Sequence, residues 1–123
     1  MSLTKEQLHE YNRSRDILSK YGITDQELDQ LHRWESNLHT IAERQCNGYQ
    51  DWKGNWDQKA ADKDEAKEQR VMDRVTALVE SHGLTVEFNG DPRGGAIRLI
   101  LPADENGHKQ TNSWDGETWG IYW

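Results

Sequence analysis

The hydrophobic period changes once along the chain, near Gly83. Before it, apolar residues recur at three- and four-residue steps, the period of a helix with one buried face. After it they alternate in short runs, the period of strands. The clearest helical stripe is Leu28, Leu31, Trp34, Leu38, Ile41 and Ala42, which predicts a helix from Thr24 to about Gln45. Thr24 and Glu27 form a capping box at its start, and Ile23 and Leu28 occupy the two positions of a hydrophobic staple. An earlier helix begins at Thr4, capped by Thr4 and Gln7, with Leu8, Tyr11, Ile17, Leu18 and Tyr21 on a looser apolar face. Gly22 is placed to end it in a left-handed turn. The short link at Tyr21–Ile23 folds the two helices into a hairpin.

A third helix is predicted from about Asp57 to Ser81. Its first half, Lys59 to Arg70, is charged, and signs mixed around Lys59, Asp62, Lys63 and Glu65 read as solvent exposure. Its second half packs through Val71, Val75, Leu78 and Val79, with Met72 beside them. Between the second and third helices, Asn47-Gly48 breaks the pattern and residues 46–56 carry Tyr49, Trp52, Gly54 and Trp56. The sequence leaves two readings of that segment: an ordered aromatic loop or a weakly helical continuation.

Beyond Gly83, Val86 and Phe88 share one face of a first strand, and Ile97, Leu99 and Leu101 one face of a second. Pro102 ends the second strand, and Asp104-Glu105-Asn106-Gly107 is a turn. A polar edge strand over 108–113 and a last strand from Thr118 to Trp123 complete the prediction. Helices followed by strands imply an α+β fold: a helical hairpin, a third helix, and a small antiparallel sheet of three or four strands. The expected organisation is one domain over 1–123, helical in 1–83 and a β-meander in 84–123. The stripe Leu28, Leu31, Leu38 and Ile41 should pack on Leu8, Leu18 and the Val75–Val79 face. Long amphipathic helices beside so small a sheet also suggest a homo-oligomer or another protein partner.

The two central strands are joined by Asn89-Gly90-Asp91-Pro92-Arg93-Gly94-Gly95. Its glycines permit positive φ and close approach of an anion, while Arg93 offers a planar, permanently charged fork. Trp114, in the later turn Asn112-Ser113-Trp114-Asp115-Gly116, could stack on a base or a guanidinium. Asp91, Arg93, Gly94, Gly95 and Trp114 therefore form a candidate site for a small anionic ligand. The competing structural reading has Asp91 bonding turn amides and the C-terminal aromatics filling the core. The unit is not a phosphate-binding P-loop, because it precedes a strand and lacks the following Lys-Ser/Thr.

Composition narrows the classes. The formal charge of the 123-residue chain is −7, which disfavours direct binding to nucleic acid, where a basic footprint is needed. Cys46 is the only cysteine, so an intrachain disulfide is excluded and a reducing, cytoplasmic location is expected. The first residues lack the apolar core of a secretion signal, and no stretch suits a membrane span. His32, His39 and Cys46 recur every seven residues on the second helix, but His32 and Cys46 would lie about 21 Å apart, too far to share an ion. No nucleophile or metal motif is present. Neither a catalytic residue nor a cofactor is assigned.

Three pieces carry a resemblance: Glu43-Arg44-Gln45-Cys46-Asn47-Gly48-Tyr49, the strand–Gly90-Asp91-Pro92-Arg93-Gly94–strand unit, and Asn112-Ser113-Trp114-Asp115-Gly116. Together they resemble small proteins encoded by phages and prophages, mostly of unassigned function, over most of residues 40–121. The Gly-Asp-Pro-Arg-Gly unit is the distinctive part. The resemblance implies a phage-related accessory protein whose helices are followed by a small sheet with that turn. It implies no chemistry. The expected role is a non-enzymatic binding module for a host protein or a small anionic ligand. Two alternatives stay open: a small hydrolase or nucleotide-processing enzyme using Asp91 and nearby acids, and an acidic inhibitor that mimics DNA.

Overall fold

A computed structural model of the protein describes residues 4–89, 95–112 and 116–121. Three helices, α1 (Lys5–Ser19), α2 (Asp25–Asn47) and α3 (Gln58–Ser81), precede three strands, β1 (Thr85–Phe88), β2 (Ile97–Ile100) and β3 (Trp119–Gly120). The strands form one antiparallel sheet in the order β1-β2-β3, with Val86 opposite Leu99 and Leu99 opposite Trp119. The fold is α+β.

Local chemistry accounts for the helix starts. The Thr4 hydroxyl accepts the Gln7 amide at 3.1 Å, and the Gln7 side chain accepts the Thr4 amide at 3.0 Å. Thr24 and Glu27 repeat the same reciprocal pair at 3.2 and 3.0 Å. A cap of this kind contributes about 1 kcal/mol. The staple residues Ile23 and Leu28 are both buried. Glu27 is also bonded to His82, at 2.8 Å, which ties the start of α2 to the end of α3 and holds the Glu27 carboxyl below its usual range.

One hydrophobic cluster joins all three helices to the sheet. Leu28, Leu31 and Leu38 of α2 meet Val71, Val75 and Val79 of α3, with Ile97, Leu99 and Trp119 beneath. α1 contributes less than the sequence suggests. Only Ser14 and Leu18 of that helix are buried, and Leu8, expected in the core, is 48% exposed. Instead α1 is tied to the sheet by a polar contact: the indole N–H of Trp119 donates to the Ser14 hydroxyl at 3.1 Å. The Arg13 guanidinium lies over the same indole, 5.2 Å from its centroid.

The sheet has three strands, within the predicted three or four, and the expected edge strand over 108–113 is absent from the described part of that stretch. Residues 108–112 form no strand, and β3 is two residues long. Asn112 explains how so short a strand is held, because its side-chain oxygen accepts the Gly120 amide at 2.7 Å and its amide donates to the Gly120 carbonyl at 3.2 Å. With the Asn112 backbone amide donating to the Thr118 carbonyl at 3.3 Å, one residue's side chain and backbone supply bonds that a fourth strand would have supplied.

Candidate functional site

Of the five residues assigned to an anion site, Asp91, Arg93, Gly94 and Trp114 lie outside the described residues; Gly95 is described and buried. The Asn89 amide donates to the Ala96 carbonyl at 2.9 Å, closing the hairpin. On the other side, α2 reaches in. Glu35 is 5% exposed, and its two carboxyl oxygens accept the amides of Ala96 and Ile97 at 2.7 and 2.6 Å. Burial pushes the Glu35 carboxyl up, while the two amide bonds and the charges of His39 and Arg98 act against that shift. The two amides that follow Gly95 are therefore already occupied by an acid of the protein itself, and an incoming anion would have to work against it.

Beside this junction lies a cleft of about 230 Å³, lined by Leu38, Ala42, Met72, Phe88 and Ala96, with Glu68 and Asn89 as its polar lining. It lies where α2 and α3 meet the ends of β1 and β2 that flank the turn.

The segment between α2 and α3 is the second region of interest, and it is an ordered loop rather than a helix. The Asp57 amide donates to the Tyr49 carbonyl, and Gln50 bridges Trp56 in antiparallel fashion, so residues 49–57 form a miniature hairpin. Its tip is built by Asp51, whose carboxylate accepts the amides of Lys53 at 2.9 Å and Asn55 at 3.0 Å. Gly54 supplies the positive φ, +81°, that the tip requires.

The base of this loop is bolted to both helices. Asp64 of α3 is 7% exposed and accepts a two-pronged bond from Arg44 of α2, at 2.7 and 2.8 Å. The Tyr49 hydroxyl donates to the same carboxylate at 2.7 Å. The bonds from Arg44 hold the Asp64 carboxyl below its usual range. Burial and the bond to Asp64 push the Tyr49 hydroxyl up to about 12.

On this braced frame the two tryptophans face water. Trp52 is 89% exposed and Trp56 59%. Lys53 lies over the Trp52 ring at 4.8 Å, and Trp56 packs edge-on against Tyr49 at 5.8 Å. The Trp56 indole N–H is fixed by Gln58 at 2.9 Å. The chain thus holds two large apolar rings outside its core on a loop with little freedom to bury them.

The sequence carried signals for two of these groups. Glu35 falls in the same helical register as Leu28, Leu31, Leu38 and Ala42, so an acid occupies a core position. Asp64 lies seven residues, two helical turns, before Val71 on the same face as Val71, Val75 and Val79. An acid placed in an apolar register is a buried group with a dedicated partner.

No group of three or more His, Cys, Asp or Glu side chains suited to a metal occurs among the described residues. None of their helices is long and apolar enough to cross a membrane. Comparison with family models, curated proteins and solved structures finds no match to the chain.

Proposed function

We propose that the protein is a non-enzymatic binding module that engages a protein partner through the 49–57 loop. The observation that supports this reading is Trp52, 89% exposed at the tip of a loop held by Asp51 and anchored by Tyr49 to Asp64. An indole left in water is a cost to the free protein that a partner's apolar pocket would remove. Tryptophan is the residue type most enriched where truncation costs an interface most. A loop already fixed by its own hydrogen bonds loses little further entropy on docking, so more of the contact energy appears as affinity. Trp56 and Lys53 widen the same surface. The resemblance to phage accessory proteins makes a protein of the host cell the natural class of partner. The small-anion reading draws no comparable support, since Glu35 already fills the amides that follow Gly95.

The test is affinity capture from an extract of the cells that carry the protein, comparing the wild type with Trp52→Ala and with Glu105→Ala, a change at an exposed turn. A protein retained by the wild type and by Glu105→Ala, but lost with Trp52→Ala at unchanged melting temperature, is the expected result. Identical capture by all three proteins refutes the reading.

A further inference from the structure

Five cations lie on one side of α3. At 3.6 residues per turn, Lys59, Lys63, Lys67, Arg70 and Arg74 fall within an arc of about 80°, and they run along about 22 Å of helix. All but the half-buried Lys67 are exposed. The sequence suggested mixed signs here, but the neighbours one turn apart are alike: Lys59 with Lys63, Lys63 with Lys67, and Arg70 with Arg74. Like charges at this spacing disfavour a helix.

The molecule does not relieve that repulsion by direct pairing. None of the five forms an ion pair among the described residues; Arg44, not a cation of this face, takes the buried Asp64. The acids of α3 lie on a separate arc, and two of them are held by neutral amides. Asp62 accepts from Gln58 at 2.7 Å, and Asp73 accepts from Gln69 at 2.9 Å. In a chain of formal charge −7, the face gathers five cations on one arc, with Lys67 at its edge acting electrostatically on the buried Asp64.

We propose that this face docks an acidic, helical segment of a partner protein. The cations step along α3 by four, four, three and four residues, about 6, 6, 4.5 and 6 Å, so acids at the same mixed spacing on one face of an adjacent helix meet them in register. The length of the track selects among polyanions. A nucleic acid would continue past about 22 Å onto a surface that is net acidic, whereas a helix of about four turns ends with the track. The arc also carries no aromatic ring on which an unpaired base could stack. An anionic membrane fits less well, because the apolar side of α3 is committed to the core through Val71, Val75 and Val79 and cannot insert. This proposal uses residues distinct from the 49–57 loop and stands whether or not that loop binds a partner.

The experiment uses the full chain and a synthetic helical peptide carrying five glutamates at the same four-, four-, three- and four-residue spacing, followed by fluorescence anisotropy. An isomer of equal composition with scattered glutamates, an oligothymidylate and phosphatidylserine vesicles are the competing probes. The expected result is binding of the patterned peptide that weakens about tenfold between ~50 and ~200 mM salt. Lys63→Glu/Arg70→Glu should weaken it by a further tenfold or more while its melting temperature holds or rises, because the acid introduced at position 63 would sit between Lys59 and Lys67. Glu105→Ala should bind as the wild type does. Equal binding of the scattered isomer, tighter binding of the oligothymidylate or the vesicles, or unchanged affinity in the double variant would overturn the proposal.

Discussion

Glu35 and Asp64 are both buried acids on helices, 5% and 7% exposed, and their carboxyl groups shift in opposite directions. Glu35 accepts two neutral backbone amides and is pushed up. Asp64 accepts a guanidinium and a phenol and is held down. Both have little exposed surface, but Glu35 lies deep between helix and sheet and Asp64 near the surface, so burial weighs most on Glu35 and the guanidinium most on Asp64. A full opposite charge outweighs the loss of solvent where two amide dipoles do not. The partners also differ in stiffness. Glu35 grips the backbone at the start of β2 and so fixes the chain directly after the central turn. Asp64 grips two side chains, and through Tyr49 it fixes the loop that carries Trp52.

Removing each acid tests that distinction. Glu35→Ala strands two buried amides, each costing about 1–3 kcal/mol, so a loss of about 3 kcal/mol or more is expected by urea unfolding. Glu35→Gln should recover only part of this, because its amide nitrogen would face one of the two N–H groups with a second donor. Asp64→Ala should cost less, about 2 kcal/mol, since the side chain of Arg44 is 46% exposed and can turn to water. If Asp64→Ala proves the more damaging of the two, the ion pair and not the backbone clamp is the stronger fastening.

The same contrast marks the limit of sequence reading. Both capping boxes, the staple at Ile23 and Leu28, and the central hairpin follow from local rules, because each is decided by residues a few positions apart. Glu35 bonds to residues 61 and 62 positions away, and no local rule names such a partner. Its register among leucines announces burial but not the amides of Ala96 and Ile97. Leu8 misleads for a related reason. The helical period places it on the apolar face of α1, yet the helix meets the core through buried Ser14 and Leu18 with Tyr11 and Ile17 packed beside them, one to three turns beyond Leu8. The aromatic segment stayed ambiguous because its order comes from Asp51, Asp64 and Arg44 acting together. Beside the candidate anion site the antiparallel pairing of β1 and β2 was legible from the apolar runs, but not the acid that occupies the amides of Ala96 and Ile97.

Titration sharpens the comparison further, because the two acids must bend the stability curve in opposite senses. A depressed carboxyl contributes stability that is present above its unfolded range and is lost as pH falls through its folded value. Asp64 is of this kind. A raised carboxyl contributes stability that is present below the unfolded range and is lost as pH rises through the folded value. Glu35 is of this kind. Between about pH 3 and pH 7, the gap between wild type and Asp64→Asn should therefore widen, and the gap between wild type and Glu35→Gln should narrow. Melting temperatures across that range read both slopes. Parallel slopes would mean that burial, and not the partner's charge, governs both groups.

The smallest effect belongs to the most conspicuous residue. Trp52 touches little besides Lys53, so Trp52→Ala should change stability by less than about 0.5 kcal/mol. Trp56→Ala should cost more, about 1 kcal/mol, because its ring meets Tyr49 edge-on at 5.8 Å and its indole N–H is bonded to Gln58. The ordering is informative because it opposes what hydrophobicity alone suggests. Were Trp52 a folding residue, its removal would rank with a core truncation such as Leu38→Ala, expected at about 2–5 kcal/mol. A negligible change at Trp52 beside a measurable one at Trp56 means that the fold draws on the base of the loop and leaves the tip unused. A large loss at Trp52 would make the indole a structural residue and remove the ground for a binding role at the loop.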